Sequence, residues 1–306
     1  MSPLTTMHSG VQNVPLDINF ALFISPFSEY MFMQRALIGS FAVCLGAVPV
    51  GVFMTLRRMS LTGDAMAHAI LPGAAVAYLI SGLSLIGLTL GGLVAGIVVA
   101  ALAGWVARST HIKEDTSLAA FYLISLALGV VILSLKHSNV DLFHVLFGNI
   151  LALDNAALYL LAGICSISLF ILAILYRALV IDCVDPQFLR RYGPASGVAH
   201  YGFLFLMVIN LVAGFHALGT LMAIGMMILP AAAARFWMKT LDGMLLVAVL
   251  ISLAGCVTGL LISFYVDLPA GPAIVLSVGV FYIASIFFGA HGGFLSKVFA
   301  NQHLTG

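Results

Sequence analysis

Charge is what this chain has least of. Its 306 residues include 12 Lys+Arg and 11 Asp+Glu, so 8% are charged while 62% are hydrophobic. No water-soluble domain needs that much apolar surface. Long apolar runs recur from one end to the other, which makes the fold class all-α, a polytopic transmembrane helical bundle. A net charge of +1 gives no basic face for nucleic acid. The cysteines Cys44, Cys165, Cys183 and Cys256 are scattered, with neither a CxxC pair nor zinc-finger spacing, and read as small buried hydrophobes. No charged n-region leads into an apolar core and a cleavage site, so no signal peptide is expected. There is no G-x-x-x-x-G-K-[ST], so the chain is not expected to hydrolyse ATP alone. H-E-x-x-H and G-x-S-x-G are also missing, which disfavours an intramembrane zinc protease and a serine hydrolase.

What is present is a series of apolar segments near 31–56, 65–81, 84–107, 117–135, 156–179, 198–214, 217–237, 243–265 and 269–290, about nine helices. Segments 65–81 and 198–214 are short for a crossing of ~20 residues, and short or interrupted segments often mark a substrate path. Positive residues alternate between connections: Arg57 and Arg58, Arg108 and Lys113, Arg177, Arg190 and Arg191, Arg235 and Lys239, then Lys297, with Lys136 as the exception. This pattern puts Arg57 and the C-terminus inside and the N-terminus outside. The expected organisation is an extracytoplasmic or interfacial segment over 1–30, a membrane domain over 31–295 and a cytoplasmic tail over 296–306.

Helix packing leaves its own mark. Gly92, Gly96, Ala100 and Gly104 recur every four residues, and Gly255 and Gly259 repeat the spacing. Small residues so placed let membrane helices approach closely. The cytoplasmic connection 180–197 holds a short capped helix, with Asp185 as N-cap, Pro186 in the first turn and Gly193-Pro194 as the stop. It reads either as a well-capped surface turn or as a docking helix for a cytoplasmic partner.

The richest stretch runs from Arg57 to Gly73, RRMSLTGDAMAHAILPG. On a helix Asp64 and His68 lie one turn apart on one face, where a carboxylate and an imidazole can both hold a divalent metal ion. Taken singly, the acid is explained as a helix cap and the histidine as an interhelical hydrogen-bonding group. As an i, i+4 pair beside Pro72-Gly73 they point to a metal or proton role. Two protein ligands make an incomplete site, and a site that must release its ion should be incomplete. His216 is another histidine at membrane depth, with Met222 and Met226 following at helical spacing. Thioethers suit soft cations, so these three are candidate path residues, although core packing explains a methionine stripe equally.

These residues closely resemble the membrane permease of bacterial metal-ion ABC importers, the manganese, zinc and chelated-iron permeases. The resemblance rests first on RRMSLTGDAMAHAILPG, with PFSEYMFMQRAL before it, and then on GTLMAIGMMILPAAAARFW (219–237), DPQFLRRYG (185–193), LFGNIL (146–151) and FFGAHGGFL (287–295). It implies a multi-pass subunit of the bacterial cytoplasmic membrane, with Asp64 and His68 as metal ligands along the path. Ala67 stands where the family usually has a serine. The implied partners are a cytoplasmic ABC ATPase, a second permease subunit (a copy or a sister) and an extracytoplasmic metal-binding protein. Coupling to the ATPase falls to the short helix with Asp185, Gln187, Arg190, Arg191 and Gly193. No cofactor is permanently bound. The ion is substrate, Mn2+ favoured because a hard oxygen ligand stands without cysteine, with Zn2+ or Fe2+ as alternatives. A proton-coupled secondary metal transporter is the competing reading; it would need neither the capped helix nor an ATPase.

Overall fold

The computed structural model describes residues 25–82, 84–112, 114–134, 150–185, 188, 194–291 and 293–294. Lipid offers no hydrogen-bond partners, so a spanning segment must satisfy its backbone internally, and these apolar runs become helices. In chain order they are α1 (Met31–Leu56), α2 (Ser60–Ala69), α3 (Leu71–Ser81), α4 (Leu85–Ser109), α5 (Glu114–Ser134), α6 (Asn155–Val184), α7 (Pro194–Ala234), α8 (Leu241–Val266) and α9 (Ala270–Phe288), with a 3-10 turn at Ile150–Ala152 before α6. No strand occurs among the described residues. Among the described residues, eight helices are long and apolar enough to cross a membrane, with α2 and α3 counted together as Ser60–Ser81. The expectations for residues 1–24 and 296–306 lie outside the described residues.

Two segments differ from the sequence reading. The second begins at Ser60 and not near residue 65, so its 22 residues suffice to cross. Its discontinuity falls at Ile70, two residues ahead of Pro72, which has no N–H to give the helix. Beside it, Ser125 Oγ on α5 donates to the carbonyl of Ala69 at 3.0 Å.

The second difference is α7, where Gly219 adopts φ 79°, ψ 166° inside what is otherwise helix. That region of the map is open to glycine and strained for other residues. The chain folds back there. Arg57 stacks on Phe203, while Gly51 packs against the backbone of Met227. Along a straight helix Phe203 and Met227 would be about 36 Å apart, whereas Gly51 and Arg57 are separated by about 9 Å of α1. Only a reversal brings both beside the same end of α1, and Gly214 lies against Ala223 across it. The expected segments 198–214 and 217–237 are therefore the two arms of one hairpin. The second arm, Met222–Ala234, is about 20 Å long and falls short of a ~30 Å hydrocarbon core.

The core gathers around α1 and the first arm of α7, the most enclosed spans. Phe53, Met54, Met66, Phe203, Leu206 and Met207 are fully buried there. The small-residue stripes make close contacts: Gly92 and Gly96 face Ile70 and Val208, Gly255 and Gly259 face Val278 and Ile274, and Gly73 meets Gly91 backbone to backbone between α3 and α4. A side chain at Gly73 would have to occupy the carbonyl of Gly91.

The cysteines are not all isolated. Cys44 on α1 and Cys256 on α8 are both fully buried, with their sulfurs 3.4 Å apart as free thiols. The scattered spacing concealed this, because 212 residues separate them.

A carboxylate and imidazole pair on the second helix

The site begins with the turn before it. α1 ends on Arg57, Arg58 takes a left-handed φ of 59°, and Met59 follows. Arg58 N–H donates to the Thr55 carbonyl at 3.2 Å and Met59 N–H to the Met54 carbonyl at 2.9 Å. This is the paired closure that normally has glycine at the left-handed position. Thr62 N–H then donates to the Met59 carbonyl at 3.0 Å, so hydrogen bonds run unbroken from the end of α1 into α2.

Met59 holds the N-cap position of α2 and the first turn carries no acid. Asp64 thus sits past the orphan N–H groups that a cap would satisfy, and the capping explanation does not apply to it. At 1.5 Å per residue, Asp64 lies about 6 Å and His68 about 12 Å from the helix start. Their nearest atoms, Asp64 Oδ1 and His68 Nε2, are 3.8 Å apart. That is too long for a hydrogen bond and short enough for both to reach one ion. His68 Nδ1 is buried and has no hydrogen-bond partner among the described residues. The interhelical hydrogen-bond reading of His68 therefore has no partner there either.

The surroundings are asymmetric. On one side Tyr122 of α5 lies against the imidazole, ring centroids 6.2 Å apart, and Thr62 Oγ1 approaches Asp115 Oδ1 at 3.5 Å. On the other side the pair opens outward: the Asp64 side chain is 57% exposed and that of His68 29%. Leu61, on the same face as Asp64, is 80% exposed. No group of three or more His, Cys, Asp or Glu gathers around a metal position among the described residues. One chain thus sets a carboxylate and an imidazole together, with one side open.

The other sequence candidates lie apart from this pair. Met222 and Met226 are buried in the apolar core with Phe53 and Met207. His216 is on the α7 backbone near the reversal, and its side chain is outside the described residues. Asp185 Oδ1 accepts from the Phe188 N–H at 3.0 Å, the bond expected of an N-cap, and Phe188 is 47% exposed. Gln187, Arg190, Arg191 and Gly193 fall outside the described residues. Sequence reasoning missed the partners of the turn. Arg57 pairs with Asp182 at the end of α6, an acid in an apolar helix whose mate only the fold reveals. Tyr122 and Ser125 were legible in principle, being three residues apart on one face of α5.

Comparison with known proteins places the chain. Residues 29–289 match the ABC 3 transport family. The manganese import system permease protein ScaB of Streptococcus parasanguinis is 32% identical over 265 residues, covering 87% of this chain and 93% of that protein. The chelated iron transport system membrane protein YfeD of Yersinia pestis is 32% identical over 273 residues, 89% of this chain and 90% of that one. Among solved structures, PsaBC from Streptococcus pneumoniae in complex with Fab superposes with a TM-score of 0.79 at 32% identity, covering 91% of this chain and 99% of that one.

Proposed function

The chain belongs to the ABC 3 transport family, and from that premise we propose that it is the membrane permease of an ATP-driven importer of a divalent transition metal, with Mn2+ the favoured cargo. It is a multi-pass membrane protein. The observation that carries the metal reading is the Asp64–His68 pair, one turn apart on a membrane helix, with both side chains free to take an ion.

One carboxylate oxygen and one imidazole nitrogen suit Mn2+, Fe2+ or Zn2+, and neither ligand is a thiolate that would favour a softer ion. The named relatives import manganese or chelated iron, which agrees with that donor set. The ion is cargo, so a weak and partial site serves it: entry must be favourable and exit must remain so. A second permease subunit across the open face of α2 would bring its own acid and histidine and close the coordination. An external metal-binding protein would deliver the ion, and a cytoplasmic ATPase docked at the segment beginning with Asp185 would drive the cycle. The exposed Phe188 beside that cap is an apolar contact suited to such docking. If Met222 and Met226 touch the ion, the core that now encloses them must open during the cycle.

The test is radiometal uptake by cells expressing the whole system, Mn2+ against Zn2+ and Fe2+. Asp64→Ala and His68→Ala should each reduce saturable uptake to background while the subunit inserts and its ATPase still co-purifies. Wild-type uptake in either variant would remove the pair from the path. Uptake without any associated ATPase would favour the proton-coupled alternative.

A further inference from the structure

At the end of α1 an ion pair is buried where the fold has little need of one. Arg57 and Asp182 are in direct contact, with side-chain exposures of 9% and 13%. Withdrawing two charges from water costs several kcal/mol per ion before their attraction returns it, and apolar residues of similar volume often serve stability as well or better. The pair therefore calls for a purpose other than stability, and its position in the chain suggests one. Arg57 stands three residues before Ser60, where the helix carrying Asp64 and His68 begins. Asp182 stands three residues before Asp185, where the segment proposed as the ATPase dock begins. The contact joins the two.

The surrounding packing makes this joint stiff on both sides. The Arg57 guanidinium lies 4.6 Å from the ring centroid of Phe203 on α7. One turn earlier, Phe53 packs edge-on against Tyr176 of α6 at 5.9 Å. The Tyr176 hydroxyl donates to Asp242 Oδ1 of α8 at 2.5 Å. Toward the metal pair, the hydrogen bonds of the Arg58 turn leave no slack between Arg57 and α2. One valence stays open: Arg57 Nη1 is buried without a hydrogen-bond partner among the described residues. A clamp that only held the bundle together would satisfy both terminal nitrogens, whereas a contact that exchanges acceptors between two states needs a spare donor.

We propose that Arg57 is a positioning residue of the transport cycle, its ion pair with Asp182 being the joint through which movement at the docking segment reaches the helix that holds the metal ligands. This rests on the importer reading above, and predicts a failure of coupling and not of binding or assembly.

The experiment uses the complete importer in proteoliposomes, with the metal-binding protein loaded with Mn2+, and measures uptake per ATP hydrolysed together with stimulation of hydrolysis by the loaded protein. In the apolar double variant Arg57→Met/Asp182→Leu, hydrolysis should persist while uptake per ATP falls about tenfold, a typical coupling magnitude, and the stimulation disappears. Uptake per ATP within twofold of wild type, or uptake and hydrolysis falling in proportion, would overturn the proposal. Should the apolar pair fail to assemble, the swapped pair Arg57→Asp/Asp182→Arg decides. Recovery of the ratio above that of Arg57→Asp alone supports the joint, and no recovery overturns it. A wild-type assembly without metal uptake would instead overturn the importer reading, so the two failures are distinguishable.

Discussion

Arg58 occupies a backbone conformation that costs an L-residue about 1 kcal/mol, at a position where helix ends usually place glycine. Its side chain is exposed, so the strain lies in the backbone and not in a contact. Arg58→Gly should keep transport intact and raise the midpoint of thermal unfolding in detergent by about 2 °C. A lower midpoint would show that the arginine side chain makes a stabilising contribution after all. At this scale the meeting of Asp64 and His68 was legible because an i, i+4 spacing is a local property: whatever the rest of the chain does, a helix places them one turn apart. The partners of Arg57 were not legible. Asp182, Phe203 and the turn meet only after α1, α6 and α7 have packed, and nothing in the spacing of residues 57, 182 and 203 announces it.

Among the elements, the thiols of Cys44 and Cys256 give a direct ruler for how α1 packs on α8. Their sulfurs need to close from 3.4 Å to the ~2.05 Å of a disulfide. In a variant with Cys165→Ala and Cys183→Ala, a membrane-permeant oxidant such as iodine should join them, seen as one internally linked peptide pair by mass spectrometry under non-reducing conditions. Two unmodified thiols after full oxidant exposure would place these helices further apart. Apolar length gave away most helices, since a bilayer imposes the same length on each of them. It located the two pieces of α7 but not that the second is too short to cross. A hairpin inside the membrane keeps hydropathy high on both arms, and the reversal depends on the conformation of Gly219 alone, one glycine among 30. The stripe of Gly92 and Gly96 was visible as a packing face, but its partners, Ile70 and Val208, required the assembled bundle.

For the whole molecule, the outward face of α2 is the place to look for the second subunit proposed above. Leu61 and Asp64 share that face and are the most exposed side chains of the site. With the native cysteines replaced by alanine, Leu61→Cys should give a covalent dimer of this chain on oxidation in membranes, seen as a doubled mass on a non-reducing gel and reversed by reductant. Monomer alone would mean that copies of this chain do not meet across this face. Scarcity of charge made the class legible, because the bilayer acts on the chain as a whole. A pairing surface does not announce itself, since an apolar residue facing lipid and one facing another subunit look alike in sequence. Asp64 has a consequence for the subunit before it ever meets an ion. A lone copy in the membrane bears an unmatched carboxylate on its outer side, at a cost of up to about 3 kcal/mol at mid-bilayer depth and less near a helix end. In the proposed dimer a cation shared by the two acids would offset that cost. On the importer reading proposed above, the group that would receive the cargo would also mark the subunit that has yet to find its partner.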